Sequence, residues 1–408
     1  MENIYLMKNT IQKYAWGSKT AIYQLTGLKT GYGAEPWAEL WMGAHPKASS
    51  RVKYNGDMIS LFDLIQTMPE KILGSGIAGK YNNTLPFLFK ILAASKPLSL
   101  QAHPDKVHAE KGFEKENKLK ISLNAFNRNY KDSNHKPECI CALTSFYALN
   151  GFRKISMIIK LMDKICPLTF RSKLNQLQNN QNSTGLKTFF SALLTMEKNQ
   201  KQKIISEAIN KAGKLTNLPD YDKAYEWMIK LHKHFPGDIG IFSPLILNLV
   251  CLEPGQAMFI PAGQLHSYLE GMGIELMANS DNVLRGGLTE KHIDLPELLE
   301  ILNFSEKKSD ILLPEKINEY EKIYNTPAEE FTLSVITIKQ NEVYTCQGNK
   351  TVEILLCTEG NAVISGFKEK SEISVLRGNS VLIPFSLQNY TIRGSSTIYK
   401  ASVPYSKN

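Results

Sequence analysis

The chain has 408 residues and a mass of 45.9 kDa, room for two or three domains at about 150 residues each. With 43% hydrophobic and 21% charged residues it has the composition of a soluble globular protein, which excludes a disordered chain, a collagen-like fibre and a coiled coil. The net charge of +9 is concentrated in residues 151–240, which hold 15 Lys+Arg against 7 Asp+Glu. These lysines stand singly on what read as helix faces, without the interleaved aromatics of a nucleic-acid stripe, so no nucleic-acid partner is expected. No run approaches the roughly 18 consecutive apolar residues of a membrane helix. The opening residues, with an acidic Glu2, do not read as a secretory leader. A cytoplasmic monomer that does not contact membranes is expected. The six cysteines, at 139, 141, 166, 251, 346 and 357, are too scattered for a disulfide framework. Cys139 and Cys141, the one close pair, read as buried strand residues.

Residues 1–150 mix short alternating runs with turns and contain a helix over 61–73. Residues 153–240 are helical: Ile155, Ile158, Ile159, Met162 and Ile165 follow helical spacing, as do Ala224, Trp227, Met228, Leu231 and Phe235. From 239 the β texture returns, interrupted by a short helix opened by Asp294 and Pro296. Residues 331–408 read as short strands at 331–338, 352–356, 362–364, 373–376, 381–383 and 397–401, with turn signals about every ten residues.

A faint repeat links the two β regions. Gly255 to Pro261 matches Gly378 to Pro384, each a glycine and a proline around an apolar run. In the first copy Gly263 and His266 follow, a pattern that resembles the second motif of the cupin superfamily of small jelly-roll barrels. In the second copy Asn389 stands where the histidine would be. The fold expected is mainly β with a helical insertion: two cupin-like barrels, only the first able to bind metal. The first is built from residues 1–150 and 241–318, the insertion from 151–240 and the second barrel from 319–408.

Three stretches carry groups suited to metal chemistry. Residues 98–103 alternate, so Ser99, Gln101 and His103 share one strand face, either a barrel lumen or an exposed edge. Lys136 and Glu138, two apart, share another. A turn at 261–265 delivers His266. Amide, imidazole and carboxylate ligands suit a zinc site with room for water or substrate, but spacing alone does not choose Gln101 over His135 or His108. His232 and His234 are two apart on a helix and cannot share a metal. Glu275, Asp281, Arg285 and Lys291 interrupt an apolar stretch downstream, either as a structural ion-pair cluster or as a wall of acid–base and anion-binding groups.

Taken together, residues 98–106 (LSLQAHPDK), 135–138 (HKPE), 261–268 (PAGQLHSY) and 280–291 (SDNVLRGGLTEK) resemble the signatures of the type I mannose-6-phosphate isomerase family. Residues 14–17 (YAWG), 38–46 (AELWMGAHP) and 86–92 (PFLFKIL) fit the same family. The likeness spans about residues 10–300 and is weaker over the helical segment and the last barrel. It implies zinc, one ion per chain, held by Gln101, His103, Glu138 and His266, and a sugar-phosphate substrate. It also implies an active-site arginine at Arg285. Gly286-Gly287 and Glu290 depart from the family pattern without touching a ligand. An aldose–ketose isomerisation moves a proton between C2 and C1 through an enediol-type intermediate. Lys136, His135, Glu275 and Asp281 are the acid–base candidates, and the choice among them stays open. Lys90 and Ser99 suit phosphate contacts, and Trp16 and Tyr268 are assigned to substrate binding. A non-catalytic sugar-phosphate-binding cupin and a metal-dependent oxygenase or epimerase are the alternatives. The helical segment is expected to border the site, its charge either steering a dianionic substrate or simply forming a solvated surface.

Overall fold

The structure, a computed structural model, describes residues 3–28, 33–308, 310–348, 350–366 and 372–404. Among them, ten strands form the sheet of a first barrel and eleven that of a second. No helix is long and apolar enough to cross a membrane.

The strand His266–Ala278 organises the first barrel. Its early part pairs with Leu100–Ala102 and Phe146–Phe152, and its later part with Phe87–Ala94 and Glu138–Ala142. It changes partners at Gly271 (φ 127°), where a Cβ would stand 2.6 Å from the carbonyl oxygen of Ser145. Only glycine permits that bend.

The second barrel repeats the device. Gly255 and Gly378 turn the chain with φ of 83° and 82° into the strands Ala257–Ile260 and Ser380–Ile383. At the same spacing beyond each (255 to 271, 378 to 394) the next strand is bent at a glycine. Gly394 (φ 122°) bends Asn389–Ser402, and a Cβ there would stand 2.5 Å from the carbonyl of Asn361. The faint repeat is therefore a repeat of backbone geometry.

Several elements differ from expectation. The runs 352–356 and 362–364 belong to one strand, Glu353–Gly366, and 397–401 is the end of Asn389–Ser402. Glycines that read as turn signals bend these strands without ending them. The helix expected over 61–73 is broken at Met68, because the residue before Pro69 is driven out of helical geometry, giving Leu61–Thr67 and Pro69–Leu73. Residues 1–150 are not confined to the first barrel. Tyr5–Lys8 pairs with Ser380–Ile383 and with Arg51–Tyr54, so the N-terminal strands extend the second barrel's sheet.

The helices Ile155–Ile165, Arg171–Asn179, Ser183–Leu194, Lys198–Leu215 and Lys223–His234 form the insertion. Their apolar faces pack on Leu100, Ala102, Leu149, Leu265 and Leu284, behind the strands that carry Gln101 and His266. Each such fully buried Leu, Ile or Phe contributes about 1.5–3 kcal/mol of burial free energy. The outer faces of the two barrels stack on each other: Phe87, Phe89, Ile274 and Leu276 meet Leu333, Ile354, Leu356 and Ala401. Cys139 and Cys141 lie in this layer, fully buried, and burial pushes the Cys141 thiol up to about 11.

Candidate metal centre and substrate cavity

Alternation along the first barrel's strands divides its lumen. Leu92, Ala94, Ile140, Ala142, Phe146 and Tyr268 fill one end, with Trp16 packed against them. The other end is polar, and three groups meet there. His103 Nε2 lies 3.3 Å from Glu138 Oε1, and His266 Nε2 lies 3.3 Å from Glu138 Oε2. The ligand atoms of the three residues fall within 4.8 Å of one another, all buried.

The imidazoles are oriented from behind. His103 Nδ1 is 2.7 Å from the backbone oxygen of Asn282, and His266 Nδ1 is 2.9 Å from that of Gln264. A carbonyl only accepts, so both Nδ1 atoms carry the proton and both Nε2 atoms present lone pairs inward. The buried His103 Nε2 has no hydrogen-bond partner among the described residues. Burial, reinforced by Lys136, pushes the His103 pKa down to about 4, so the ring is neutral at pH 7. Burial alone would raise the Glu138 carboxyl. Lys136, with its Nζ 3.0 Å from Oε1, outweighs it and holds the group well below the usual carboxylate range. Two imidazoles and a carboxylate converging on one point suit a divalent ion of zinc's type.

Register places two more residues on this wall. Gln101 lies directly opposite His266, and Arg285 directly opposite Gln101, so all three project from the same face. Arg285 is half-buried, and no carboxylate pairs with it among the described residues. Burial lowers its pKa; burial and then Arg285 lower that of Lys291. Two neighbouring cations that pair with no carboxylate among the described residues form an anion-ready edge. The end of the helical insertion fixes this edge, since Asp238 Oδ2 accepts the Thr289 N–H at 3.1 Å.

Below the metal groups lies a closed ion cluster. Lys90 Nζ is 2.8 Å from Glu275 and 3.9 Å from Glu39, with Trp41 Nε1–H donating to Glu39 at 2.7 Å. Lys90, expected to contact phosphate, is 5% exposed and paired with these carboxylates. Burial raises the Glu275 pKa against the effect of Lys90. For Lys90 itself burial works downward, and Glu275 and Glu39 outweigh it to leave the pKa raised. Tyr268, buried beside this cluster, has a raised pKa from burial and from Glu275 and Glu138. Ser99 stands half-buried just ahead of the strand Leu100–Ala102.

On the outer side a cavity of about 730 Å³ is lined by His45, Lys47, Lys131, His135, Asp281 and Glu330, among others. Asp281 is 2.5 Å from Lys47 Nζ and 3.4 Å from His45 Nε2. Burial would raise its pKa, and His45 and Lys47 together depress it. His135 Nε2 is 2.6 Å from Glu330 Oε1. Asn282, fully buried, ties this wall to the metal groups: its Oδ1 accepts the Lys131 N–H at 2.6 Å, and its backbone oxygen holds His103.

Sequence reasoning did not single out Glu39, His45, Asn282 or Glu330. Glu39 and Trp41 alternate toward one face within a motif already in view, a usable signal. His45 lies in a loop, and its partner Asp281 is far along the chain.

Residues 4–155 match the family described as phosphomannose isomerase type I, catalytic domain. Residues 168–247 match its helical insertion domain, and residues 320–403 the mannose-6-phosphate isomerase cupin domain. The chain is 40% identical over 390 residues to the mannose-6-phosphate isomerase of Escherichia coli K12, covering 95% of this chain and 96% of that protein. The human enzyme is 34% identical over 411 residues, with 93% of each chain covered. A zinc-bound mannose 6-phosphate isomerase crystal structure superposes with a TM-score of 0.89 at 37% identity, covering 98% of this chain and 99% of that one. A variant of the Salmonella typhimurium phosphomannose isomerase gives a TM-score of 0.91 at 37% identity over the same shares of the two chains. With likeness over nearly its whole length and a His–Glu–His centre that could hold one metal ion, this chain belongs to the type I phosphomannose isomerases, enzymes of the cupin superfamily.

Proposed function

We propose that the chain is a zinc-dependent isomerase that interconverts mannose 6-phosphate and fructose 6-phosphate by proton transfer between C1 and C2 through an enediol. The observation that carries this is the pair of inward imidazole lone pairs on either side of Glu138, next to Lys136. In this reading Gln101, His103, Glu138 and His266 hold one zinc, which supplies Lewis-acid polarisation of the substrate's carbonyl edge.

The remaining steps belong to the chain. Lys136 is the acid–base candidate nearest the metal groups: in its neutral form its Nζ takes the proton from one carbon and, as the ammonium so formed, returns it to the other. The other candidates are each engaged elsewhere: Glu275 with Lys90, Asp281 with His45 and Lys47, and His135 with Glu330. They are assigned to positioning. Arg285, in register with Gln101, is the fixed cation for the developing oxyanion. Lys291 and Ser99 meet the phosphate, and Trp16 and Tyr268 close the apolar end behind the sugar.

A coupled assay on mannose 6-phosphate, run before and after chelation and after zinc is restored, tests the reading. Activity lost with the metal and recovered with zinc is expected. Full turnover by protein that elemental analysis shows to be metal-free would overturn it.

A further inference from the structure

The second barrel has a polar end of its own, at the place that corresponds to the metal centre of the first. The strand bent at Gly394 brings Tyr390 and Lys400, from its two halves, to Glu353, much as the strand bent at Gly271 delivers His266. Lys400 Nζ is 2.6 Å from Glu321 and 3.5 Å from Glu353. Tyr344 and Ser334 donate to Glu321, both at 2.7 Å, and Tyr390 donates to Glu353 at 2.9 Å. Lys350, 5% exposed, donates to the carbonyls of Pro384 and Thr351 at 2.9 and 3.2 Å. Beyond this cluster Ile336, Ile338, Cys357 and Ile398 fill the lumen. The polar end opens into a cavity of about 630 Å³ with Ser402, Thr332 and Gln347 at its rim.

We propose that this mouth of the second barrel is a separate binding site for a small, uncharged, hydroxyl-rich molecule of sugar size. Its charge decides the class of ligand. Among the described residues, the charged ones lining the cavity are Glu321, Glu353, Lys350 and Lys400, two of each sign, so a phosphate dianion or a metal cation would leave an uncompensated buried charge. No histidine is among the described lining residues. Hydroxyl groups both donate and accept, and they suit a wall where carboxylate, ammonium and phenol alternate. Capacity remains for them: each ammonium has three protons and two partners, and Glu321 Oε2 and the two Glu353 oxygens each have one partner and can accept another. The Tyr344 ring and Ile323 offer apolar surface to the C–H face of a sugar ring. The volume lies within the roughly 300–1,000 Å³ typical of ligand pockets.

The probe is D-mannose, titrated by calorimetry into the zinc-loaded full chain while equilibrated mannose 6-phosphate and fructose 6-phosphate fill the first barrel. The expected result is saturable binding of one mannose per chain. Ser402→Trp, which fills the cavity beside Glu353, should raise Kd at least tenfold while kcat on the sugar phosphate is unchanged. Lys400→Met should weaken binding similarly. Absence of saturable mannose binding in the wild type overturns the proposal, as does an unchanged Kd in Ser402→Trp. So does displacement of the mannose by inorganic phosphate, which would make the cavity an anion site.

Discussion

In the first barrel the strand bent at Gly271 begins with His266, and the lumen end it reaches holds two imidazoles around a single carboxylate. In the second, the matching strand bent at Gly394 begins with Asn389, whose side chain only caps the Gly348 N–H at 3.1 Å, and carries Lys400 into the lumen. The backbone plan is shared; the protonation chemistry is not. An inward lone pair on a neutral ring leaves a place for a cation, whereas an ammonium between two carboxylates fills that place with its own charge. One barrel therefore suits a metal, and the other is electrically closed.

The comparison breaks most visibly at His266. In His266→Ala the metal should be lost and, with it, several kcal/mol of transition-state stabilisation, so kcat/KM should fall by at least about 10³-fold. Arg285→Ala should lower kcat and kcat/KM together by about 10²- to 10³-fold with KM little changed and zinc retained, as expected for a donor to a developing oxyanion. A raised KM at constant kcat would assign the residue to phosphate instead.

The second barrel should respond in stability rather than in turnover. Lys400→Met leaves Glu321 and Glu353 buried without their cation, and breaking such a pair costs about 3–5 kcal/mol. Denaturant unfolding should show that loss while kcat of the folded protein holds. The pH dependence sharpens the contrast. Burial acts to lower the Lys400 pKa, but Glu353, Tyr344 and Glu321 raise it above 10.5, so its contribution is complete below that value and fades as pH rises through the folded pKa. The Tm difference between wild type and Lys400→Met should therefore narrow in alkali. A gap that stays constant well above pH 10.5 contradicts this origin. Asn282→Ala, which loosens the loop behind His103, should weaken zinc affinity by about 10- to 100-fold, read by competition with a chromophoric chelator. The smallest expected effect is on steering: kcat/KM should fall between about 0.1 and 1 M salt as the Debye length shrinks from about 10 to 3 Å. A flat profile would make the charge of residues 151–240 a solvated surface.

Local patterns made much of this legible. The alternation around Gln101 and the turn before His266 lie within a few residues, as does the glycine spacing that relates the two barrels. What pairing alone creates was not. Glu39 and Trp41 gain their role only when Glu39–Met42 is laid beside Phe87–Ala94, which brings them to Lys90. His45 became part of the site through Asp281, and His135 through Glu330, each partner distant in sequence. The strand Tyr5–Lys8 joins the second barrel because its buried Tyr5 and Met7 find their packing there, a choice its four residues do not encode. Glycines misled where they bend a continuous strand, since composition does not distinguish a bend from a turn.

The most direct test of the contrast between the barrels is a zinc count by elemental analysis on wild type, His266→Ala and Asn389→Ala, prepared alike. The account predicts one zinc per chain in wild type and Asn389→Ala, and essentially none in His266→Ala. Full zinc content in His266→Ala, or its loss in Asn389→Ala, would contradict it.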